Sequence, residues 1–319
     1  MTDTARQAMQ MVPCDRCRTP NFVPASLPKF QAVPCQNCRH PVITPVRLRQ
    51  FELRSVIGSG GMAMVYRAMD TILEREVAVK LMAADIQRDE QAMANFYREA
   101  RFQASLNHTN IINIFNYDEA EGRKYLVMEV ADRGDLDDRI EQHGRVDELY
   151  VLDVGIKMSG ALEVLRNKEL MHLDIKPSNI LYNADGEPKL TDFGIAKKVG
   201  DRRDREGLMG TPFYIAPERV SEHWQDWRSD MYSLAATMYH AATGQVPYDM
   251  PTVEETVWAH VKSRLKPPHK VQPEISKDTS NAICNAMEKD PNRRFQSYDD
   301  FSMALEASRS RLLVKRFNR

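Results

Sequence analysis

From residue 51 onward the apolar positions fall first at strand spacing and then at helix spacing. Phe51, Leu53, Val56 and Ile57 predict a strand that ends in a glycine cluster, Gly58, Ser59, Gly60 and Gly61. Extended character resumes over residues 64–68. The apolar run 76–81 predicts a buried strand, and 124–130 predicts another. Between these two, Phe96, Ala100 and Ala104 fall on one face of a helix over 90–106. After Gly134 the pattern turns helical, with apolar residues at helical spacing in 151–166, 230–242 and 279–287. Ser297 and Asp300 resemble a capping-box start for a helix that carries Phe301, Ala304 and Leu305. Strands first and helices later predict an α+β fold with two lobes, the first strand-rich and the second helical.

The first 50 residues follow neither period. They hold Pro13, Pro20, Pro24, Pro28, Pro34, Pro41 and Pro45 of the 17 prolines, and they repeat internally. Residues 12–24 align with 33–45 at a period of 21, with seven of 13 positions identical, and each copy carries one Cys-x-x-Cys turn. A duplicated turn of this kind is hard to ascribe to chance.

Composition narrows the possible functions. The chain has 319 residues, 42% of them apolar, which is enough to build a core and excludes disorder as the main state. Forty-four Lys and Arg face 45 Asp and Glu, for a net charge of −1. That balance disfavours a protein that lives on the phosphate backbone of nucleic acid. No apolar stretch reaches the roughly 18–20 residues needed to span a bilayer, and the first ten residues lack the apolar segment of a secretory signal. The expected location is therefore cytoplasmic. In a reducing compartment, four cysteines clustered near one end read as metal ligands before disulfides.

Four separated motifs carry chemistry. Gly58 to Val65 places glycines between two strands, where backbone N–H groups can approach phosphate oxygens; a plain glycine-rich hairpin is the alternative. Lys80 ends an apolar strand. It either snorkels to the surface or is an ammonium held against phosphates by a carboxylate, for which Glu99 is the candidate. Asp174, Lys176 and Asn179 fall within six residues between apolar flanks, the pattern of a site more than of a solvated turn. Asp192, before Phe193 and Gly194 at a strand end, is suited to ligating a hard cation.

In this order and spacing the motifs resemble the eukaryotic-like (Hanks-type) serine/threonine protein kinases, closest to the bacterial ones, from about Phe51 to Leu305. The resemblance implies a bilobal kinase fold over 51–308, with an N-lobe over 51–130 and a C-lobe over 132–308. It implies ATP with Mg²⁺ (or Mn²⁺) as cofactors and protein substrates with Ser or Thr acceptors. Ile57, Gly58, Ser59, Gly60, Gly61 and Val65 would cover the phosphates of the nucleotide. Lys80, paired with Glu99, would hold its α- and β-phosphates. Val65, Ala78 and Leu181 would sandwich adenine, with Met128 as gatekeeper and Glu129 to Ala131 as hinge. Asp174 would accept the substrate proton, Lys176 would neutralise the γ-phosphoryl, and Asn179 and Asp192 would bind the metal. Thr211 would hydrogen-bond Asp174 and Lys176. Thr211 counts with the catalytic residues, whereas Arg294 would pair with Glu218 and Asp230 would tie the catalytic loop to a long helix, and these last three residues are structural. A nucleotide-binding pseudokinase scaffold with a zinc-dependent interaction module is the alternative, and retention of Lys80, Glu99, Asp174, Asn179 and Asp192 favours the enzyme.

Two departures from the family pattern agree with each other. Leu173 stands where the family has the arginine that grips a phosphorylated activation loop. Residues 192–210 contain no Ser, Thr or Tyr to receive that phosphate. Activity without phosphorylation of this segment is expected. Ala63 replaces the third glycine of the loop and adds one methyl there.

Cys14, Cys17, Cys35 and Cys38, with 17 residues between the two pairs, match structural zinc spacing and resemble a zinc ribbon over 1–46. Rubredoxin-like iron and a redox dithiol pair are the alternatives. His40 is a spare ligand beside an already full shell. Arg16, Arg18 and Arg39 add local charge, commonly just a solvated face. The ribbon is expected to dock on the small lobe or to bind a protein partner. Cys284 reads as core. The basic tail 309–319 carries five Lys or Arg and reads mainly as solvated; extension of the last helix and contact with acidic lipid are its other readings.

Overall fold

The computed structural model describes residues 8–60, 63–84, 86, 89–194, 196–198, 211–221 and 225–318. The chain divides into two compact units. One is Met1–Ala100 with Ile114–Val130, and the other is Arg101–Asn113 with Ala131–Arg319.

The first unit opens with two short hairpins. Strand β1 (Met9–Pro13) pairs with β2 (Pro20–Pro24), and β3 (Val33–Pro34) pairs with β4 (Pro41–Val42). The sequence repeat is a structural repeat: Pro13 lies opposite Pro20, and Pro34 lies opposite Pro41. In each turn the residue after the second cysteine, Arg18 or Arg39, is left-handed at φ 60° or 62°. A non-glycine residue pays strain there, so something else must hold the turn closed.

Six strands follow in one antiparallel sheet: β5 (Val46–Leu48), β6 (Phe51–Ser59), β7 (Ala63–Asp70), β8 (Arg75–Met82), β9 (Ile114–Ala120) and β10 (Arg123–Met128), in the order β5-β6-β7-β8-β10-β9. Helix α1 (Glu90–Ala104) lies between β8 and β9 in sequence. Side-chain alternation gives the sheet two apolar faces. One carries Ala63, Met82 and Leu126 and packs on Phe96 and Ala100 of α1. The other carries Leu53, Tyr66, Val77, Val79, Leu81 and Tyr125, and it is filled from the N-terminal segment by Ile43 and Leu48, with Phe30, Ala32 and Val46 at its margin. Both faces of β8 are thus covered, which is why 76–81 reads as an unbroken apolar run.

The second unit comprises α2 (Leu136–His143), α3 (Glu148–Asn167), β11 (Leu170–Met171), β12 (Ile180–Tyr182), β13 (Pro188–Leu190), β14 (Lys197–Lys198), α4 (Glu218–Ser221), α5 (Arg228–Thr243), α6 (Val253–Lys262), α7 (Pro268–Val271), α8 (Lys277–Ala286) and α9 (Tyr298–Phe317). Helix α3 packs against α5 and α9 around one large core. Gly244 ends α5 in a left-handed conformation, and a Cβ there would lie 2.0 Å from the carbonyl oxygen of Gly144, which caps α2 in the same way. Ser297 caps α9 by accepting from the Asp300 N–H; its own hydroxyl donates back to the Asp300 carboxylate. Helix α9 continues to Phe317, through most of the segment read above as a solvated tail. Leu312 is buried, and Arg309, Arg311 and Arg316 pair with Asp153, Asp278 and Asp147. No helix among the described residues is long and apolar enough to cross a membrane.

One buried ion pair fastens this unit. Arg294 donates two hydrogen bonds to Glu218, at 2.8 and 2.7 Å, and Ser229 donates a third. Arg294 is 0% and Glu218 2% exposed. Burial alone would push the Glu218 carboxyl up, but the Arg294 guanidinium and the Ser229 hydroxyl hold it below the usual carboxylate range. The stability this gives is full above the ordinary carboxylate pKa and is lost as pH falls through the lower, folded value. Arg294→Ala strands a buried carboxylate. It is expected to cost about 3–5 kcal/mol, read by urea unfolding at pH 7. A cost under about 1 kcal/mol there would show that the pair fastens nothing.

Candidate active site and metal centre

In the first unit the cross-strand register brings Gly58 opposite Val65 and Val65 opposite Lys80 on adjacent strands. Lys80 Nζ donates to Glu99 Oε1 of α1 at 2.6 Å. The pair is only partly exposed, with Lys80 at 21% and Glu99 at 9%. An ammonium on a short leash, partly open to solvent, can meet an anion without giving up its carboxylate. Gly60 N–H bonds to the Ala63 carbonyl at 3.0 Å and narrows the hairpin. A Cβ on Gly58 would meet Val65 at an ordinary 3.6 Å, so the fold itself does not require glycine there. Ile57 and Ser59 lie on β6 beside it; Gly61 lies outside the described residues. Ala78 is buried and paired with Met128, the last residue of β10, and Glu129 follows the strand.

The second unit carries the polar loop between β11 and β12. Its backbone is set by Asp230 of α5, whose two carboxylate oxygens accept the N–H groups of His172 and Leu173, each at 2.7 Å. That double bond to consecutive amides goes with a left-handed Leu173, φ 67°. Burial pushes the Asp230 carboxyl above the usual range, opposed by His172 and by these N–H groups. His172 Nε2–H donates to the Thr191 carbonyl at 3.0 Å, which leaves Nδ1 to accept from the Asp174 N–H. The Leu173 side chain is buried, and its carbonyl accepts from Arg219.

Asp174 is held on one side only. Its Oδ2 accepts from Lys176 Nζ at 2.8 Å and from Asn179 Nδ2 at 3.0 Å, while among the described residues Oδ1 accepts no hydrogen bond. The Asn179 amide also bonds the Asp174 carbonyl, so the amide oxygen faces away from it. The Asn179 carbonyl takes the Thr191 N–H at 3.1 Å, which brings residue 179 beside the segment that ends in Asp192. Asp192 is exposed and left-handed, φ 65°, while Phe193 after it is buried against His172. An amide oxygen and a carboxylate so arranged are hard donors suited to Mg²⁺. Leu181 lies on β12, opposite Lys189. Thr211 lines a cavity of about 10 Å³ together with Leu173, Asp174 and Arg219, but no hydrogen bond joins it to Asp174 or Lys176 among the described residues. Residues 199–210 lie outside the described residues, as does the composition argument that rests on them.

The four N-terminal cysteines converge. Their sulfurs lie within 4.8 Å of one another, with Cys14 to Cys38 and Cys17 to Cys35 both 3.6 Å apart. Four thiolates about 2.3 Å from one tetrahedral ion lie about 3.8 Å apart, so the donor set fits zinc. The Thr19 hydroxyl and N–H hold the Cys17 thiol down at about 5. Cys38, although lowered by the His40 N–H, is pushed up to about 12 by burial and the neighbouring thiols. A cation between the four sulfurs would favour the thiolate form of Cys38. Cys284, on α8, lies far along the chain, and burial raises its thiol.

Sequence reasoning missed Phe30, Tyr66 and Arg219. Tyr66 O–H donates to the Phe30 carbonyl at 2.9 Å, and the Arg123 guanidinium lies 5.1 Å from the centre of the Phe30 ring. These pairs are far apart in sequence and follow no period.

Comparison with known proteins gives one consistent result. The protein kinase domain family matches residues 51–306. A probable serine/threonine-protein kinase of Clostridium perfringens is 32% identical over 81% of this chain and 38% of its own length. The serine/threonine-protein kinase PrkC of Bacillus subtilis is 30% identical over 84% of this chain and 42% of its own. The serine/threonine-protein kinase PknA of Mycobacterium tuberculosis is 34% identical over 82% and 62%. The match to the first two covers about two fifths of their length.

Proposed function

The chain belongs to the protein kinase family, and from that premise we propose that it transfers the γ-phosphoryl group of MgATP to Ser and Thr hydroxyls of proteins, with no phosphate needed on residues 192–210. The observation that carries this reading is the half-held carboxylate of Asp174. Lys176 and Asn179 fix Oδ2, which leaves Oδ1 to orient an acceptor hydroxyl and take its proton as the bond to phosphorus forms. Lys176 neutralises charge on the transferred group. Lys80, steadied by Glu99, holds the nucleotide phosphates, and Gly58 and Gly60 leave room for the backbone to approach them. Asn179 and Asp192 are the residues that would hold Mg²⁺, whose chemistry is to screen the phosphate charge. Zinc on the four cysteines is structural.

Lys176 two residues after Asp174 supports Ser and Thr as acceptors. Independence from loop phosphorylation rests on Leu173. It is an apolar, buried side chain at the place where a phosphate-binding arginine would have to reach out. The test is transfer of γ-labelled phosphate to a generic basic protein, with the labelled residue identified. Label on Ser or Thr is expected, and label confined to Tyr would sink the proposal. Phosphatase treatment of the enzyme beforehand is expected to leave the rate within about twofold. A phosphate found on Thr211 that raises the rate well beyond that would overturn the regulatory part.

A further inference from the structure

The cysteine module touches the glycine-bearing hairpin at one rung. Val56 on β6 and Tyr66 on β7 are register partners, and the next rung is Gly58 with Val65. A bulge separates the two rungs. Strand β5 covers β6 only as far as Leu53, so among the described residues the outer edge of β6 has no strand partner at Val56. His40 reaches that edge, and its Nε2–H donates to the Val56 carbonyl at 3.0 Å. On the facing strand, Tyr66 is fully buried and its hydroxyl donates to the Phe30 carbonyl at 2.9 Å. Both sides of the rung are thus tied to the same N-terminal segment.

His40 is also built into the metal turn. Its carbonyl accepts from the Cys35 N–H at 2.8 Å, and its own N–H bonds to the Cys38 sulfur. Its ring is the free end of a turn whose shape is set by the ligands. Phe30 is left-handed, φ 66°, a conformation costly for an aromatic residue. It is held there by the Tyr66 bond and by Arg123, which in turn donates to the Met82 carbonyl. A segment that merely lay on the sheet would need none of these directed bonds.

We infer that His40 is a positioning residue for the nucleotide: the metal-loaded turn holds its imidazole against Val56, and with the Phe30–Tyr66 bond this fixes the base of the glycine hairpin. The inference rests on the kinase reading above, since the hairpin matters only if it covers a nucleotide. Loss of one such hydrogen bond should loosen the hairpin about three- to tenfold. The chemistry itself, carried by Asp174, should be spared.

The experiment uses the full zinc-loaded chain with His40→Ala, His40→Gln and Tyr66→Phe. Zinc content, amide hydrogen exchange over 55–59 and 64–66 without nucleotide, affinity for a fluorescent ATP analogue, and KM and kcat are measured on each. His40→Ala is expected to keep its zinc, to speed exchange and raise KM for ATP about three- to tenfold, and to leave kcat and KM for the acceptor within about twofold. His40→Gln, which keeps an N–H donor, should recover much of the loss. Tyr66→Phe should shift the same quantities in the same direction. A wild type that binds ATP, with His40→Ala and Tyr66→Phe matching it in exchange and KM, overturns the inference alone. A wild type that binds no nucleotide overturns the kinase reading and the inference with it.

Discussion

Asp174→Asn is expected to lower kcat by about 10²- to 10⁴-fold while nucleotide affinity and melting temperature stay near wild type. The substitution is nearly isosteric. Its amide oxygen can still accept from Lys176 and Asn179, whose bonds to Oδ2 are 2.8 and 3.0 Å. The amide nitrogen then occupies the place of Oδ1, the oxygen that among the described residues accepts nothing. A donor stands where a proton acceptor is needed, so an incoming hydroxyl is neither oriented nor relieved of its proton. The Lys80–Glu99 pair is untouched, which is why binding of ATP should survive. Single-turnover transfer from γ-labelled ATP, with the affinity of a fluorescent nucleotide measured alongside, separates the two quantities. Retention of more than about a tenth of the wild-type rate would remove Asp174 from the role of base. Loss of nucleotide binding together with the rate would mean that the loop had collapsed.

How far the sequence carried the reading depends on how local each signal is. The strand that carries Lys80 was legible because both faces of β8 are covered and the apolar run is unbroken, although β8 runs on to Met82 and does not end at the lysine. The grouping of Asp174, Lys176 and Asn179 was legible because those residues are neighbours in sequence. The tail extends the last helix, one of the readings its sequence allows, and most of it is exposed. What its basic residues masked is a weaker stripe, since Phe301, Leu305, Ser308 and Leu312 recur at helical spacing and all are buried. Thr211 illustrates a different limit. Its motif neighbours suggested a hydrogen bond to Asp174, but the side chain shares only a small cavity with it. Docking of the N-terminal module on the small lobe is an expectation of the sequence, but no pattern revealed which residues make the attachment to the sheet. Phe30, His40 and Ile43 sit among prolines with no period of two or of 3.6, and their partners lie on strands that begin only at Phe51. Such contacts are fixed by tertiary geometry, which a linear pattern does not encode.

With zinc on the four cysteines, as proposed, its removal is expected to unfold residues 8–45 locally and to weaken the sheet they cover. The core of the module is small: among the described residues its own buried apolar cluster is Cys14, Val23, Cys35 and Val42, with Val12, Leu27 and Val33 at the margin. So few apolar side chains cannot offset the conformational entropy of nearly forty ordered residues, at about 1–2 kcal/mol each. Two left-handed arginines, Arg18 and Arg39, add strain. A structural zinc ion supplies on the order of 10 kcal/mol to peptides of this kind, enough to decide whether the module folds. Its loss would also free Ile43, Phe30 and Ala32 from the sheet face that holds Leu53, Tyr66, Val79 and Tyr125. Exposure of that face should lower the melting temperature of the whole chain by several degrees, because even about 2 kcal/mol is a large share of a domain's stability. The measurement is metal analysis of the purified chain, followed by chelation at neutral pH with hydrogen exchange over 9–24 and 33–48 and a melting curve. One zinc per chain is expected, with protection lost in both ranges on chelation and restored by zinc. Cys35→Ser, which removes a buried ligand, should reproduce the chelated state. A chain that carries no metal, or that keeps its protection and melting temperature after chelation, would mean that the four thiols converge for some other reason.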